Sequence, residues 1–203
     1  KQKNESEGLY YGLMLMMQGA MTGLFDALDL FLYYIFWELA LIPAYFLVLL
    51  WGSGQHRRTA LKFFIYTLLG SLLMPVAIIF LSQQWSPASF DISNVHSVSL
   101  SPEAETFVLL AFMLAYAIKI PLFPFHTWQP DTYTQAPTAG TMLLSGIMLK
   151  MGLYSIIRWV LPVAPNALME HRTWMIWLIV IGIAYASIIA IQQKDLKRLF
   201  AYS

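Results

Sequence analysis

The chain has 203 residues, 59% of them hydrophobic and only 11% charged, with a mean hydropathy of +0.62 and a net charge of +1. A soluble domain carries about 25% charged residues, so the composition points to a bilayer, and the basic residues are too dispersed to form a nucleic-acid patch. With no cysteine, the chain alone can build neither a disulfide framework nor a Cys-ligated metal or iron–sulfur centre.

A hydrocarbon core roughly 30 Å thick needs about 20 apolar residues per helix. Apolar runs predict six spans, at about 9–25, 28–51, 61–81, 104–133, 137–161 and 173–191. The expected fold class is all-α, a polytopic transmembrane helix bundle forming one unit over residues 1–203. The second span, in FLYYIFWELALIPAYFLVLL, holds one acid, Glu38, five residues before Pro43, which should kink that helix. The connection 82–103 is polar. The fourth span is too long for a simple crossing. Pro121, Pro124 and Pro130 remove backbone donors and disfavour helix in the residue before each, so this span should break just after Lys119. The fifth carries Lys150 centrally, with Gly146 and Gly152 leaving room for water or a neighbouring helix, and Arg158 two turns on.

Lys and Arg of short connections gather on the cytoplasmic side. Lys1 and Lys3 precede the first span, Arg57, Arg58 and Lys62 lie between the second and third, and Lys194, Lys197 and Arg198 follow the sixth. The other side holds Asp26, Asp29, a connection at 82–103 without Lys or Arg, and one at 162–172 with a single Arg. Six alternating spans fit one orientation, with both ends cytoplasmic. The start at Lys without an initiator Met, the lack of a signal-peptide pattern and the apolar character resuming in KRLFAYS make a piece of a larger membrane protein the expectation.

Glu38, Lys119 and Lys150 carry the most information. A charge near the bilayer centre costs roughly 2.5–3.5 kcal/mol on insertion scales, so each needs pairing, hydration or a function. Bland accounts exist: a protonated structural Glu38, a Lys119 snorkelling to an interface, a Lys150 bonded to backbone carbonyls, an Arg158 acting as an interfacial anchor. His126, the one histidine inside a predicted span, could relay protons or only bond a carbonyl. Asp131 reads as a cap or a solvent-facing group. If Glu38 and Lys119 meet, their protonation states become interdependent, because burial disfavours a charged lysine and a nearby carboxylate favours it. Unwound helix segments are where membrane transporters pass ions, so the break after Lys119 strengthens the transport reading.

KIPLFPFHTWQPDTYTQAPTAGTMLLSGIMLKMGLYSIIR, with FWELALIP and IQQKDLKRLFAYS, resembles the antiporter-like subunits of respiratory complex I, the proton-pumping NADH:quinone oxidoreductase. The resemblance covers essentially the whole chain, least in the connection 82–103. It implies that Glu38 is the family's carboxylate of the fifth helix, Lys119 the lysine of the broken seventh, Lys150 the relay lysine of the eighth and Arg158 the arginine further along it. LKMGLY puts Lys150 where a related subunit type usually carries histidine. The six spans then resemble helices four to nine of fourteen: a first five-helix repeat over about 9–161, and the opening helix of an inverted second repeat at about 173–191. Gln129 is a departure, standing where the family usually has leucine. By the same resemblance, NAD, FMN, iron–sulfur clusters and quinone belong to partner subunits, and the partners are other membrane subunits of such a complex, including further antiporter-like ones, with lipid and protons. The membrane implied is the bacterial inner membrane. A subunit of a multi-subunit sodium/proton antiporter would share nearly all these motifs, and a structural spacer with idle charges is the third reading.

Overall fold

The computed structural model describes residues 6–85, 87–95 and 98–203. Helix α1 (Glu7–Asp26) starts where the Ser6 hydroxyl accepts from the Leu9 N–H, satisfying one orphan donor of the first turn. The second expected span is two helices, α2 (Leu30–Leu39) and α3 (Leu41–Trp51), and the third is α4 (His56–Ser71) and α5 (Leu73–Ser82). One cause explains both interruptions. A proline has no N–H for the carbonyl four residues back and clashes with it. For Pro43 and Pro75 those carbonyls belong to Leu39 and Ser71, the last residues of α2 and α4.

The connection after α5 contains the short α6 (Ile92–Val95) and folds back on the turn between α1 and α2. The Leu30 N–H donates to the Phe90 carbonyl at 2.9 Å and the Ile92 N–H to that of Leu28 at 2.8 Å, around an isolated antiparallel bridge between Asp29 and Asp91. Helix α7 (Pro102–Lys119), capped by Ser101, stops at Lys119 as the prolines require. Residues 120–128 run in turns before α8 (Gln129–Gln135). A continuous rod follows: α9 (Thr138–Leu143), a π-turn at Leu144–Met148, α10 (Leu149–Ser155), a second π-turn at Ile156–Val160, and α11 (Leu161–Val163). Last come α12 (Pro165–Ile191) and α13 (Leu196–Tyr202), the latter capped by Asp195.

Helix α12 begins eight residues before the expected start at 173, and the reason is tertiary. Glu105, buried on α7, accepts from the backbone N–H groups of Asn166 at 2.5 Å and Ala167 at 3.0 Å and from the Asn166 side chain at 3.3 Å. A carboxylate from another helix thus serves the orphan donors and the positive dipole end of α12.

Among the described residues, four helical stretches suffice by length and composition to cross a membrane: Leu30–Trp51, His56–Ser82, Thr138–Val163 and Pro165–Ile191. The other two expected spans are helical but less apolar. Four glycines and Gln18 dilute α1, and α7 carries Glu103, Glu105 and Lys119. Close approach to α7 depends on two glycines. A side chain at Gly70 of α4 would run into Ile118, and a Cβ at Gly152 of α10 would stand 2.5 Å from Cγ1 of Ile120. Gly146, by contrast, faces open space. The core is aromatic around Tyr33, Trp37, Phe112, Tyr116 and Trp159. Only Ala167 of α12 is buried, so this helix presents apolar side chains outward nearly all round.

Candidate functional site

The chain brings half-buried Glu38 and buried Lys119 to places where its helices fail. Glu38 lies in the last turn of α2, next to the break made by Pro43, and its Oε1 accepts a short hydrogen bond from the hydroxyl of Ser71, which ends α4 at the break made by Pro75. Lys119 is the last residue of α7, a terminus whose exposed carbonyls favour a cation. It is 2% exposed, and its Nζ stands 4.9 Å above the centroid of the Trp37 ring, a cation–π contact. Glu38 and Lys119 are not themselves ion-paired. Among the described residues the ion pairs are instead Lys62–Asp131 and Arg198–Asp131.

Beside this pair is a buried hydroxyl chain that the sequence reading did not find. The hydroxyl oxygens of Tyr33 and Tyr116 are 3.2 Å apart, Tyr33 donates to Ser155 Oγ at 2.5 Å, and Ser155 donates to the Met151 carbonyl at 2.5 Å. Each hydroxyl has one proton, so with Tyr33 committed to Ser155 the remaining bond runs from Tyr116 to Tyr33. The chain joins α2, α7 and α10, and the Trp37 ring packs on both tyrosines, with centroids 5.9 and 5.3 Å away. Helical spacing could have flagged it, since Tyr33 is four residues before Trp37 and Tyr116 three before Lys119.

Lys150 is placed differently from the expectation of a central, enclosed lysine. It sits on α10 between the two π-turns with its side chain exposed on the surface of this chain, while Met151 and Ser155 point inward. The wider π-turns rotate the rod around it, and such turns are frequent at functional positions. Arg158, in the second π-turn, is half-buried, with a buried Nε that has no partner among the described residues.

His126 lies in the unwound segment after α7. Its ring meets Phe123 and Tyr185 with centroids 5.7 and 5.1 Å away, and its buried Nδ1 has no described partner, so the carbonyl bond held open above is not made there. It faces a cavity of about 640 Å³ also lined by Gln129, Tyr185, Ser187 and Tyr202. Asp131 makes no cap bond to α8, and its side chain, partly exposed, is paired rather than simply solvent-facing. It is bound by Lys62 at 3.0 Å and Arg198 at 3.6 Å, and Lys62 also donates to the Thr127 carbonyl at 2.6 Å. Gln129 adds a tie, its Nε2 donating to the Ala201 carbonyl at 2.9 Å. Together these contacts pin the broken segment between α4 and α13. Among the described residues no three His, Asp or Glu side chains gather as a metal ion would need.

Apolar helices interrupted within the chain's long spans, with an acid and a lysine at the interruptions, define a membrane-spanning bundle of the antiporter-like class. A family model described as NADH:quinone oxidoreductase/Mrp antiporter, transmembrane, matches residues 27–203, and the chain belongs to that family. It is 42% identical over 206 residues to NADH-quinone oxidoreductase subunit M of Pseudomonas aeruginosa, covering 97% of this chain and 40% of that protein. The same subunit of Rickettsia bellii is 40% identical over 196 residues, covering 96% and 39%. Among solved structures, respiratory complex I from Thermus thermophilus with bound NADH matches with a TM-score of 0.87 and 34% identity, over 95% of this chain and 41% of that one. The Mrp complex from a Dietzia species matches with a TM-score of 0.80 and 27% identity, over 97% and 22%. The chain thus spans about two fifths of the length of these subunit M relatives.

Proposed function

We propose that this chain is a proton-conducting part of a redox-driven NADH:quinone oxidoreductase of the bacterial inner membrane, both of its ends lying on the cytoplasmic side. The observation that carries the reading is the placing of Glu38 and Lys119 at the breaks of neighbouring helices, with Lys119 over the Trp37 ring. Protons are taken up from the cytoplasmic side through the cavity at His126 and reach Lys119. Glu38, by approaching or withdrawing, sets how firmly Lys119 holds its proton, because an opposite charge within about 4–6 Å stabilises an ammonium that burial destabilises. From there the path leads through water to Lys150 and past Arg158. The exposed face of Lys150 suits groups supplied from outside the described residues.

In the same reading, α1 to α11 form the first five-helix repeat and α12 opens the second. With no cysteine to hold an iron–sulfur cluster, the chain leaves NAD, FMN, iron–sulfur and quinone chemistry to partner subunits, and it works beside other antiporter-like membrane subunits. The test is Lys119→Ala in the parent complex reconstituted into proteoliposomes. Proton movement and NADH:quinone electron transfer both fall at least about tenfold while the complex stays assembled, as losing the only buried cation of the switch should cause. Undiminished pumping rejects the proton path. The likeness to the Mrp complex supports a second reading, a sodium/proton antiporter subunit. In that case transport by the parent assembly requires sodium and proceeds without NADH.

A further inference from the structure

We infer that Ser71 and Trp37 are positioning residues that hold Glu38 and Lys119 apart, and that the arrangement described above is the parted state of the pair. The inference rests on the reading of Glu38 and Lys119 as the proton switch, and goes beyond it by naming what competes with their mutual attraction. Opposite charges attract strongly in a poorly polarisable interior. A carboxylate and an ammonium on neighbouring helices therefore close on each other unless each has another partner, and here each has a neutral one. Glu38 Oε1 accepts the Ser71 hydroxyl, and Lys119 Nζ rests over the face of Trp37.

Ser71 has two places to put its proton. Its Oγ is also 3.0 Å from the Leu68 carbonyl, and the Leu72 N–H that would normally serve that carbonyl turns to Leu69 at 3.5 Å instead. One hydroxyl proton serves one acceptor well. When Glu38 swings to Lys119, Ser71 rotates onto Leu68, so that no buried donor is stranded and no proton is gained or lost. The break at Pro75 makes this possible, because it is what loosens the carbonyls at the end of α4. On the other side, Lys119 gives up the Trp37 face when it takes the carboxylate, and the ring stays fixed by Tyr33 and Tyr116. Both releases leave neutral, packed groups behind, which suits a switch that closes and reopens.

The experiment uses the intact parent complex in proteoliposomes with Ser71→Ala, Ser71→Thr, Trp37→Phe and Trp37→Leu, reading protons moved per electron pair and the infrared carboxyl band that Glu38→Gln abolishes. Losing a hydrogen bond to a charge shifts a two-state balance by about tenfold or more. Ser71→Ala is expected to lower the pumping ratio severalfold and to move the Glu38 band, and Ser71→Thr, which keeps the hydroxyl, to restore both. Trp37→Leu, without a π face, is expected to lose more pumping than Trp37→Phe. If Ser71→Ala does not assemble, the tryptophan pair decides, and equal pumping by Phe and Leu overturns the inference. Parent-like pumping and an unmoved band in Ser71→Ala also overturn it. If Glu38→Gln and Lys119→Ala themselves pump normally, the switch reading falls first; if they fail to pump while Ser71→Ala is silent, only the present inference falls.

Discussion

Three charged side chains of this bundle, Glu38, Lys119 and Glu105, are met at short range by groups that carry no opposite charge. Ser71 meets Glu38, the Trp37 face meets Lys119, and two backbone amides meet Glu105. Among the described residues ion pairing falls where the side chains are partly exposed, with Asp131 bridging Lys62 and Arg198. Exposed pairs of that kind are individually worth about 0–1 kcal/mol, so their effect is to fix register more than to add stability. Outside the membrane the clearest titrating contact is Asp91. The backbone N–H of Ser93 donates to its carboxylate at 2.7 Å and, with the Ser93 side chain, holds it below the ordinary carboxylate range. A carboxyl whose pKa is depressed on folding stabilises the fold above its unfolded pKa and loses that contribution as pH falls through the folded one. The start of α6 is therefore expected to loosen only below the usual Asp range near pH 3.8, and Asp91→Asn to abolish that pH dependence. Amide hydrogen exchange at Ser93 between pH 5 and pH 2, roughly the window in which such carboxylates titrate, reads it directly.

At the scale of elements, prolines and foreign caps decide where helices stop and start. Pro43 and Pro75 act alike, each ending a helix four residues upstream, but only Pro43 stood out in the sequence because Glu38 lies beside it. The beginning of α12 could not be read at all, since its cap comes from Glu105, sixty-one residues away from Asn166. Glu105→Ala would strand two backbone donors at the head of α12 and is expected to cost about 1–3 kcal/mol. Glu105→Gln keeps an acceptor and is expected to cost less. Protease sensitivity around 164–170 and the thermal midpoint of the purified complex check both, and equal stability of Ala and wild type would show the cap to be inert.

At the scale of the whole molecule, α7 is the helix on which the rest converges, approached by α4 through Gly70 and by α10 through Gly152. Gly152→Val would force a branched side chain against Ile120, just beyond Lys119. Overpacking of this kind costs about 1–3 kcal/mol, so a lower thermal midpoint is expected and, on the proposed function, weaker electron-coupled pumping with it.

Membrane placement, the helical spans, the break after Lys119 and the identity of the charged residues were legible in the sequence, because they follow from hydropathy, proline chemistry and the cost of a charge in lipid. These are properties of a residue and its near neighbours in the chain. The tertiary structure alone decided that Ser71 and Trp37 hold the two charges, that Tyr33, Tyr116 and Ser155 join three helices, that Glu105 starts α12, and that Lys150 faces outward rather than into the core. The reason is geometric: each of these depends on which helix faces lie against each other, and helical periodicity ranks the faces of one helix without saying what will meet them.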